Sequence, residues 1–335
     1  MEQVPYYLSD VSKLKYTLET YGVAVLYNVL EKSEIEFLRN TTWMTLEGMV
    51  GLDRYNISSY EKFSLLEPLH GMLLQHYIGH SQPLWDVRQH KKVVEAFASI
   101  YGDEATVNGV VGDNLVTSFD GTSISLPPEI TRKGWHMNLR WHCDQSYKRH
   151  GFETIQSWVT LYDSGGSEST MCVFPRSHLL HSEFHKYFPN ENFKDDYYEI
   201  GGEEDPRFKF YTSCGIVPTE LACPAGSMVL WDSRTIHTAR GPLKGRNFIL
   251  TSSPPTSGIR TVFYICMAPR SRCTPNTLKK RVKIFENGRM TYHHPYRVRQ
   301  TQHHRYSHRN EHGEIEIPPP PLLTPLGRRL VGYEK

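Results

Sequence analysis

The order of patterns along the chain predicts an α+β fold, with helices first and a β-core after them. Before Gly102 apolar residues recur at helical spacing; from about Asn114 the apolar runs are short, β-branched or aromatic, and divided by Gly, Pro and Ser. Several short strands of that kind close as a sandwich or barrel. At 335 residues the chain buries a core without disulfides. A single domain over 1–335 is expected: a mainly helical part at 1–110, a β-core at 111–270 interrupted by an insertion at 181–215, and an extension at 271–335 that is basic and contains a proline run.

The first helix is predicted from Val11, Leu14, Leu18 and Tyr21, which share a face after the cap candidates Ser9 and Asp10, with Gly22 as its stop. Val23-Ala-Val-Leu-Tyr follows as a buried strand. A second helix opens at Ser33 with Glu36 three residues on, the spacing of a capping box, and runs through Ile35, Phe37, Leu38 and Leu46. A third spans about Trp85 to Tyr101, closed by Gly102. The β-type runs are Leu115-Val-Thr-Ser-Phe, Thr154-Ile-Gln-Ser-Trp-Val-Thr-Leu-Tyr, Met171-Cys-Val-Phe, Ser227-Met-Val-Leu-Trp and Ile259-Arg-Thr-Val-Phe-Tyr-Ile-Cys-Met. The insertion at 181–215 is rich in aromatics, among them Phe184, Tyr187, Tyr197, Tyr198, Phe208 and Tyr211. A long excursion between core strands serves as a lid or substrate wall, or is a surface ornament.

No run of about 18 apolar residues is present to span a bilayer. The N-terminus lacks the basic start and apolar stretch of a secretory signal, and Gly-Tyr-Glu-Lys is no peroxisomal address, so cytoplasm or nucleus is expected. The six cysteines are scattered without a C-x-x-C pair and read as reduced thiols. Net charge is only +2, yet eleven Lys or Arg against one acid, Glu286, fall between Arg270 and Asn310, beside five histidines that include His293 and His294. Such a stretch either wraps the domain or meets an anionic partner such as a nucleic acid. Packing is the preferred expectation, because Leu278, Val282 and Phe285 recur at helical spacing and would dock while the cations stay exposed. The prolines at 318–321 should lead extended chain to the C-terminal tail.

The chemistry is carried by two segments. In Trp141-His142-Cys143-Asp144-Gln145 an imidazole and a carboxylate stand two positions apart, so on extended chain both point to one face and can grip one metal. In Pro224-Ala-Gly-Ser-Met-Val-Leu-Trp-Asp-Ser-Arg-Thr-Ile-His237 a turn launches an apolar strand ending in a polar run that carries histidine. Two histidines and one carboxylate leave three positions of an iron open, as activation of O2 with a bidentate 2-oxo acid requires. Zinc would ask for cysteine or a fourth protein ligand.

These blocks, with Gln156-Ser-Trp-Val-Thr-Leu-Tyr-Asp and Met171-Cys-Val-Phe-Pro-Arg-Ser-His178 between them, resemble the phytanoyl-CoA dioxygenase family over about residues 20 to 270. The resemblance implies a double-stranded β-helix, a distorted jelly roll, that uses Fe(II), 2-oxoglutarate and O2, with ascorbate as an optional reductant. It implies His142, Asp144 and His237 as iron ligands and catalytic residues. Related halogenating enzymes carry a small residue in place of the carboxylate, so Asp144 implies hydroxylation or a related oxidation. The remote carboxylate of 2-oxoglutarate asks for arginine's planar fork, which similar enzymes place about ten residues after the distal histidine. Arg246 lies nine residues on, in a Gly-Arg-Asn turn; Arg260 lies 23 on and opens a strong β-run, and Arg260 is preferred. Trp158 corresponds to a tryptophan near the cosubstrate, and Gln156 would share its face, with core packing as the alternative for both. The Pro175-Arg-Ser-His178 turn reads as structural, as does Ser118-Phe-Asp-Gly121 ahead of the metal motif, with a place at the substrate mouth as the alternative for the latter.

Two other classes compete: a catalytically silent jelly roll binding nucleic acid through residues 270–310, and a zinc-dependent cupin-type hydrolase. The substrate is not legible. A small molecule is favoured, and nothing in the chain specifically recognises coenzyme A.

Overall fold

The computed structural model describes residues 7–69, 71–131, 140–193, 196–250, 254–255, 258–301 and 315–334. The part of the basic stretch holding His303, His304 and His308 lies outside the described residues. The chain enters as β1 (Leu8–Ser9), α1 (Leu14–Tyr21), β2 (Val23–Leu26) and α2 (Lys32–Val50). Helix α1 ends at Gly22, as expected: its φ of +73° belongs to the left-handed region, and its N–H reaches Leu18 O at 2.8 Å. A side chain at Gly22 would collide with His178 and Thr235. Val11 lies ahead of the helix and is exposed. The capping box of α2 is not Ser33 and Glu36 but Glu31 and Glu34, whose carboxylate takes the Glu31 N–H at 2.7 Å. Phe37, expected on the buried face, is 57% exposed, because the apolar face runs through Ile35, Leu38, Thr42 and Leu46.

After β3 (Met72–Leu73), the helix expected over 85–101 is two helices, α3 (Gln82–Arg88) and α4 (Lys91–Tyr101). His90 leaves the helical region, with ψ at 130°, and its Nε2 meets Glu34 at 3.0 Å. A tertiary contact thus breaks a pattern that propensity alone would continue.

A short hairpin, β4 (Thr106–Val107) and β5 (Val110–Val111), leads into the β-core: β6 (Leu115–Thr117), β7 (Thr122–Ser125), β8 (Trp141–Cys143), β9 (Ile155–Thr160) and β10 (Thr170–Val173). The insertion contributes α5 (His181–Tyr187), β11 (Tyr198–Ile200) and α6 (Pro206–Ser213); the core resumes with β12 (Thr219–Glu220), β13 (Met228–Asp232), β14 (His237–Arg240) and β15 (Arg260–Pro269). The strands form a large sheet ordered β1-β2-β13-β9-β15-β7-β3, with β6 also on β15, and a smaller sheet ordered β11-β8-β14-β10-β12. Apart from the parallel β1–β2 pair, every pairing is antiparallel.

Alternation along the large sheet builds two cores. Trp158, Val229 and Val262 point toward Met171 and Val173 of the smaller sheet. Their neighbours Val159, Leu230 and Phe263 point the other way, into a layer with Leu38, Leu46 and Phe97 of the helices. Full burial of each such side chain contributes about 1.5–3 kcal/mol. The helices therefore buttress one face of the large sheet, and two antiparallel sheets face one another across the other.

The C-terminal part packs. Helix α7 (Pro275–Glu286) places Ile284, Val282 and Phe285 against Trp85 and Phe119, and Lys279, Lys280 and Lys283 stay exposed. Arg281, expected among the exposed cations, is instead fully buried. Its guanidinium donates to Thr117 O at 2.5 Å, Pro295 O at 2.6 Å, and Leu330 O and Val331 O at 3.0 Å. The tail beyond the prolines is a helix, α8 (Pro325–Val331), because Thr324 caps it and Pro325 takes its first turn.

Candidate active site

His142 on β8 and His237 on β14 are antiparallel cross-strand partners. Strand β13 ends at Asp232, and a turn carries the chain from the large sheet to the small one: the Thr235 N–H closes on Asp232 O at 2.8 Å, and the Thr235 hydroxyl donates to Gly22 O at 2.8 Å. The polar run that ends the apolar strand is thus a turn, and His237 starts the next strand. Behind it the Ile236 N–H donates to Ser177 Oγ at 2.8 Å, and His178 Nε2 lies 3.0 Å from Glu19 O. The Pro175-Arg-Ser-His178 turn braces the site without entering it.

Asp144 is fixed by its main chain, whose N–H donates to Ser233 O at 3.2 Å. Gln145, fully buried, accepts from Ser233 Oγ at 2.7 Å and donates to Arg149 O and Gly151 O at 2.8 and 2.9 Å. Gln145 and Ser233 therefore lock together the two segments that carry the ligands.

The ligand atoms of His142, Asp144 and His237 all lie within 4.8 Å of one another, and the three residues are buried. The ring centroids of the histidines are 4.2 Å apart, and Asp144 Oδ2 is 3.4 Å from His237 Nε2. Each histidine commits Nδ1–H to a carbonyl, His142 to Arg140 O at 2.7 Å and His237 to Thr235 O at 2.9 Å. That fixes the tautomer and turns each Nε2 lone pair toward the carboxylate. Lone pairs and a carboxylate converging on one buried point fit a divalent cation. Burial, then the charge of His237, pushes His142 down to about 4, so its imidazole is neutral and ready to ligate. Burial acts to raise the Asp144 carboxyl, but the imidazoles of His237, His293 and His142 outweigh it and hold it well below its ordinary value.

Around this centre Trp231 lies 5.3 Å from the His237 ring, and Tyr197 of the insertion lies 4.7 Å from the His142 ring. Strand β11 pairs with β8, and the insertion's Phe184, Phe208 and Tyr211 pack on Cys143, Phe174 and Ile236. The insertion is thus a wall of the site and not an ornament. Trp158, 2% exposed, faces the inter-sheet core opposite Tyr264, and Gln156, level with Trp231 and Cys266, holds a buried Nε2 with no partner among the described residues.

The two arginines differ sharply. Arg246 is engaged by Glu129, with two bonds at 2.9 Å, and by Glu168. Arg260 is 8% exposed, and its guanidinium has no hydrogen-bond or ion-pair partner among the described residues. Arg260 shares the inward parity of Val262 and Tyr264 on β15 but sits at the far end from the ligands: six residues, about 20 Å of strand, separate it from Cys266. Tyr264 stands between on the same face.

Gln145 and Ser233 were not expected as positioning residues; Asp120 was expected in a structural turn, with the substrate mouth as the alternative, and His293 and His294 only as part of the basic stretch. The Asp-Gln and Asp-Ser pairs within the two motifs were a usable signal for the first two; for Asp120 the signal was its position ahead of the metal motif, and for His293 and His294 the sequence carries none, because the segments meet only in the fold.

Comparison with known proteins agrees with this geometry. A biosynthesis protein of Aspergillus versicolor, "Ava biosynthesis cluster protein O", is 26% identical over 280 residues, covering 81% of this chain and 80% of that protein. The solved GlcNAc-inducible DUF1479 protein of Candida albicans is 14% identical, with a TM-score of 0.60 over 97% of this chain and 76% of that one. A hypothetical protein of Escherichia coli gives 13% identity and a TM-score of 0.56 over 98% of this chain and 85% of that one. At that identity the two structures share the fold alone. The model of the phytanoyl-CoA dioxygenase (PhyH) family matches residues 18–242, a span that contains all three ligand candidates. The chain therefore belongs to the phytanoyl-CoA dioxygenase family and is a non-haem iron, 2-oxoglutarate-dependent oxygenase.

Proposed function

We propose that this protein hydroxylates a small molecule on a double-stranded β-helix core, within one oxygenase domain whose C-terminal extension packs against that core. One oxygen atom enters the substrate, the other enters succinate, and CO2 is released. The observation that carries the reading is the convergence of His142 on β8, Asp144 just past its end and His237 on β14 onto a buried point. Bound there with 2-oxoglutarate, Fe(II) supplies O2 activation and the two-electron oxidation of the substrate. His142 and His237 hold the metal through Nε2 because their Nδ1–H groups are committed elsewhere. Asp144 would supply the third ligand, at the place where related halogenating enzymes carry a small residue. Trp231 and Trp158 keep water out of the cosubstrate side.

Arg260 is the candidate cosubstrate clamp in this reading, supported by its burial and its lack of a carboxylate; the strand between it and Cys266 is longer than 2-oxoglutarate, so the role requires the Arg260 side chain to reach back past Tyr264 toward the ligands. Arg246 has its charge spent on Glu129 and Glu168. The Aspergillus relative's name concerns a biosynthesis cluster, which favours a small-molecule substrate for this chain. Packing of α7 through Arg281 favours a structural role for the C-terminal extension over nucleic-acid binding. Among the described residues no helix is long and apolar enough to cross a membrane. Anaerobic loading with Fe(II), followed by a 2-oxoglutarate-consumption screen over metabolites, peptides and nucleic acids, tests the reading. Consumption stimulated by a small molecule is expected; stimulation by nucleic acid alone would overturn the substrate class.

A further inference from the structure

The C-terminal extension does more than pack. Thr291 is stitched to Phe119 by two hydrogen bonds, its N–H to Phe119 O and the Phe119 N–H to its hydroxyl, each 3.0 Å. The chain then turns back on itself, Tyr292 N–H bonding Arg299 O at 3.1 Å, and the turn presents His293 and His294, whose rings lie 4.5 Å apart. Phe119 precedes Asp120, so the stitch sets Asp120 beside the histidine turn. Ser118 bonds in turn to Cys266, the register partner of Gln156. Three segments distant in sequence thus meet at the ligand end of the large sheet, where the His293 ring lies within electrostatic reach of Asp120, Asp144 and His142.

Asp120, His294 and Gln156 are buried and His293 is half-buried; beyond the bond from Ser118 to the Asp120 carboxylate, several of their polar atoms are unengaged. Asp120 is 7% exposed, His294 6% and Gln156 3%. Asp120 Oδ2, Gln156 Nε2, His293 Nε2 and both ring nitrogens of His294 have no hydrogen-bond partner among the described residues. An unpaired buried polar atom destabilises the fold, so a cluster of five beside an active centre is ground kept open for a ligand. Resting on the oxygenase reading above, we propose that Asp120, His293 and His294 form the substrate subsite and that it takes the hydroxyl groups of a neutral, polyhydroxylated or diol-bearing molecule.

The chemistry selects that class. A carboxylate oxygen accepts, and imidazole nitrogens accept or donate, which matches hydroxyls that do both. A cation is not favoured, because Arg88, fully buried, lies behind Asp120, donates to its main-chain oxygen and offsets its charge. An anion would face Asp120 and Asp144 together. His293 and His294 also lie beyond residues 18–242, so the specificity elements come from outside the span matched by the family model.

The test is equilibrium dialysis, under nitrogen, of the full chain loaded with Fe(II) and 2-oxoglutarate against labelled cis-1,2-cyclohexanediol, cyclohexylamine and cyclohexanecarboxylate. The diol should bind best to the wild type, and Asp120→Asn and His293→Phe should each weaken it about ten-fold. Preference for the amine or the carboxylate in the wild type, which needs no variant to fold, overturns the proposal. So does diol affinity that both variants leave unchanged. Cosubstrate retention, read in the same cells, separates the two readings: loss of 2-oxoglutarate binding in the wild type sinks the oxygenase reading and the subsite with it, whereas retained cosubstrate with indifferent diol binding sinks the subsite alone.

Discussion

His142 and His237 are direct cross-strand partners, with rings 4.2 Å apart and Nδ1 atoms tied to the carbonyls of residues two positions earlier, Arg140 and Thr235. Both imidazoles therefore stand on strands and not on loops, the placement that holds a metal site to its geometry. Alanine at either position should lower Fe(II) affinity beyond the roughly 10–100-fold typical of outer-shell changes, with thermal stability little altered because little core volume is lost. Metal content after dialysis and a melting curve check it; full iron occupancy in His237→Ala would contradict it.

Arg260 and Arg246 separate cosubstrate binding from structure. Loss of a buried, charge-assisted clamp is worth about 2–5 kcal/mol, so Arg260→Ala should raise the 2-oxoglutarate requirement roughly 30-fold or more. Arg246→Ala should mainly lower stability, by releasing Glu129 and Glu168. Titrations of 2-oxoglutarate into both variants and into Tyr264→Phe decide the matter. A dominant effect at Tyr264 would show that the roughly 20 Å of strand below Cys266 puts Arg260 out of reach.

Arg281 is the staple of the C-terminal extension, satisfying four carbonyls from three segments. Arg281→Met keeps much of its volume but strands those acceptors, and should cost about 3 kcal/mol or more. Charge reversal at exposed Lys279, Lys280 and Lys283 should change stability by less than about 0.5 kcal/mol each. Urea unfolding distinguishes them, and equal effects would mean that the extension is not docked through Arg281.

Asp205 ties down the insertion. Its carboxylate takes the Arg207 guanidinium at 2.6 and 2.8 Å and the N–H groups of Arg207 and Gly201 at 2.8 and 3.0 Å. Arg207, acting against burial, pulls the carboxyl from 3.8 to about 2. A depressed folded value means that the stabilisation is complete above the unfolded value, near pH 4, and is lost as pH falls toward 2. Asp205→Asn should therefore be destabilised relative to wild type at pH 7 by about 1 kcal/mol, a gap that closes in acid. Urea unfolding at pH 7, 4 and 2.5 measures it, and a gap that widens toward pH 2.5 would contradict the assignment.

Much of the site was legible because its chemistry is local. His142 and Asp144 share a face through the period of extended chain, and His237 follows a strand with an unmistakable Pro-Ala-Gly launch. Strands β2, β6, β9, β13 and β15 of the large sheet announced themselves by apolar, β-branched runs, whereas β1, β3 and β7 are short and did not. The break at His90 was hidden because Glu34, the cause, lies on another helix. Arg281 looked like one cation among eleven, since nothing local distinguishes a guanidinium that four distant carbonyls will surround. Asp120 and His293 stand more than 170 positions apart, and the Phe119–Thr291 stitch and the Arg281 bridge from Thr117 to Pro295 bring them together.

The central claim is that His142, Asp144 and His237 hold a catalytic iron. Its most direct test is succinate formation from 2-oxoglutarate and O2 in the absence of substrate, comparing Fe(II)-loaded wild type with Asp144→Ala. The wild type should form succinate, with stoichiometric CO2, and Asp144→Ala should fall to the level of the metal-free protein. Equal turnover by the two proteins would remove Asp144 from the metal site and contradict the iron assignment.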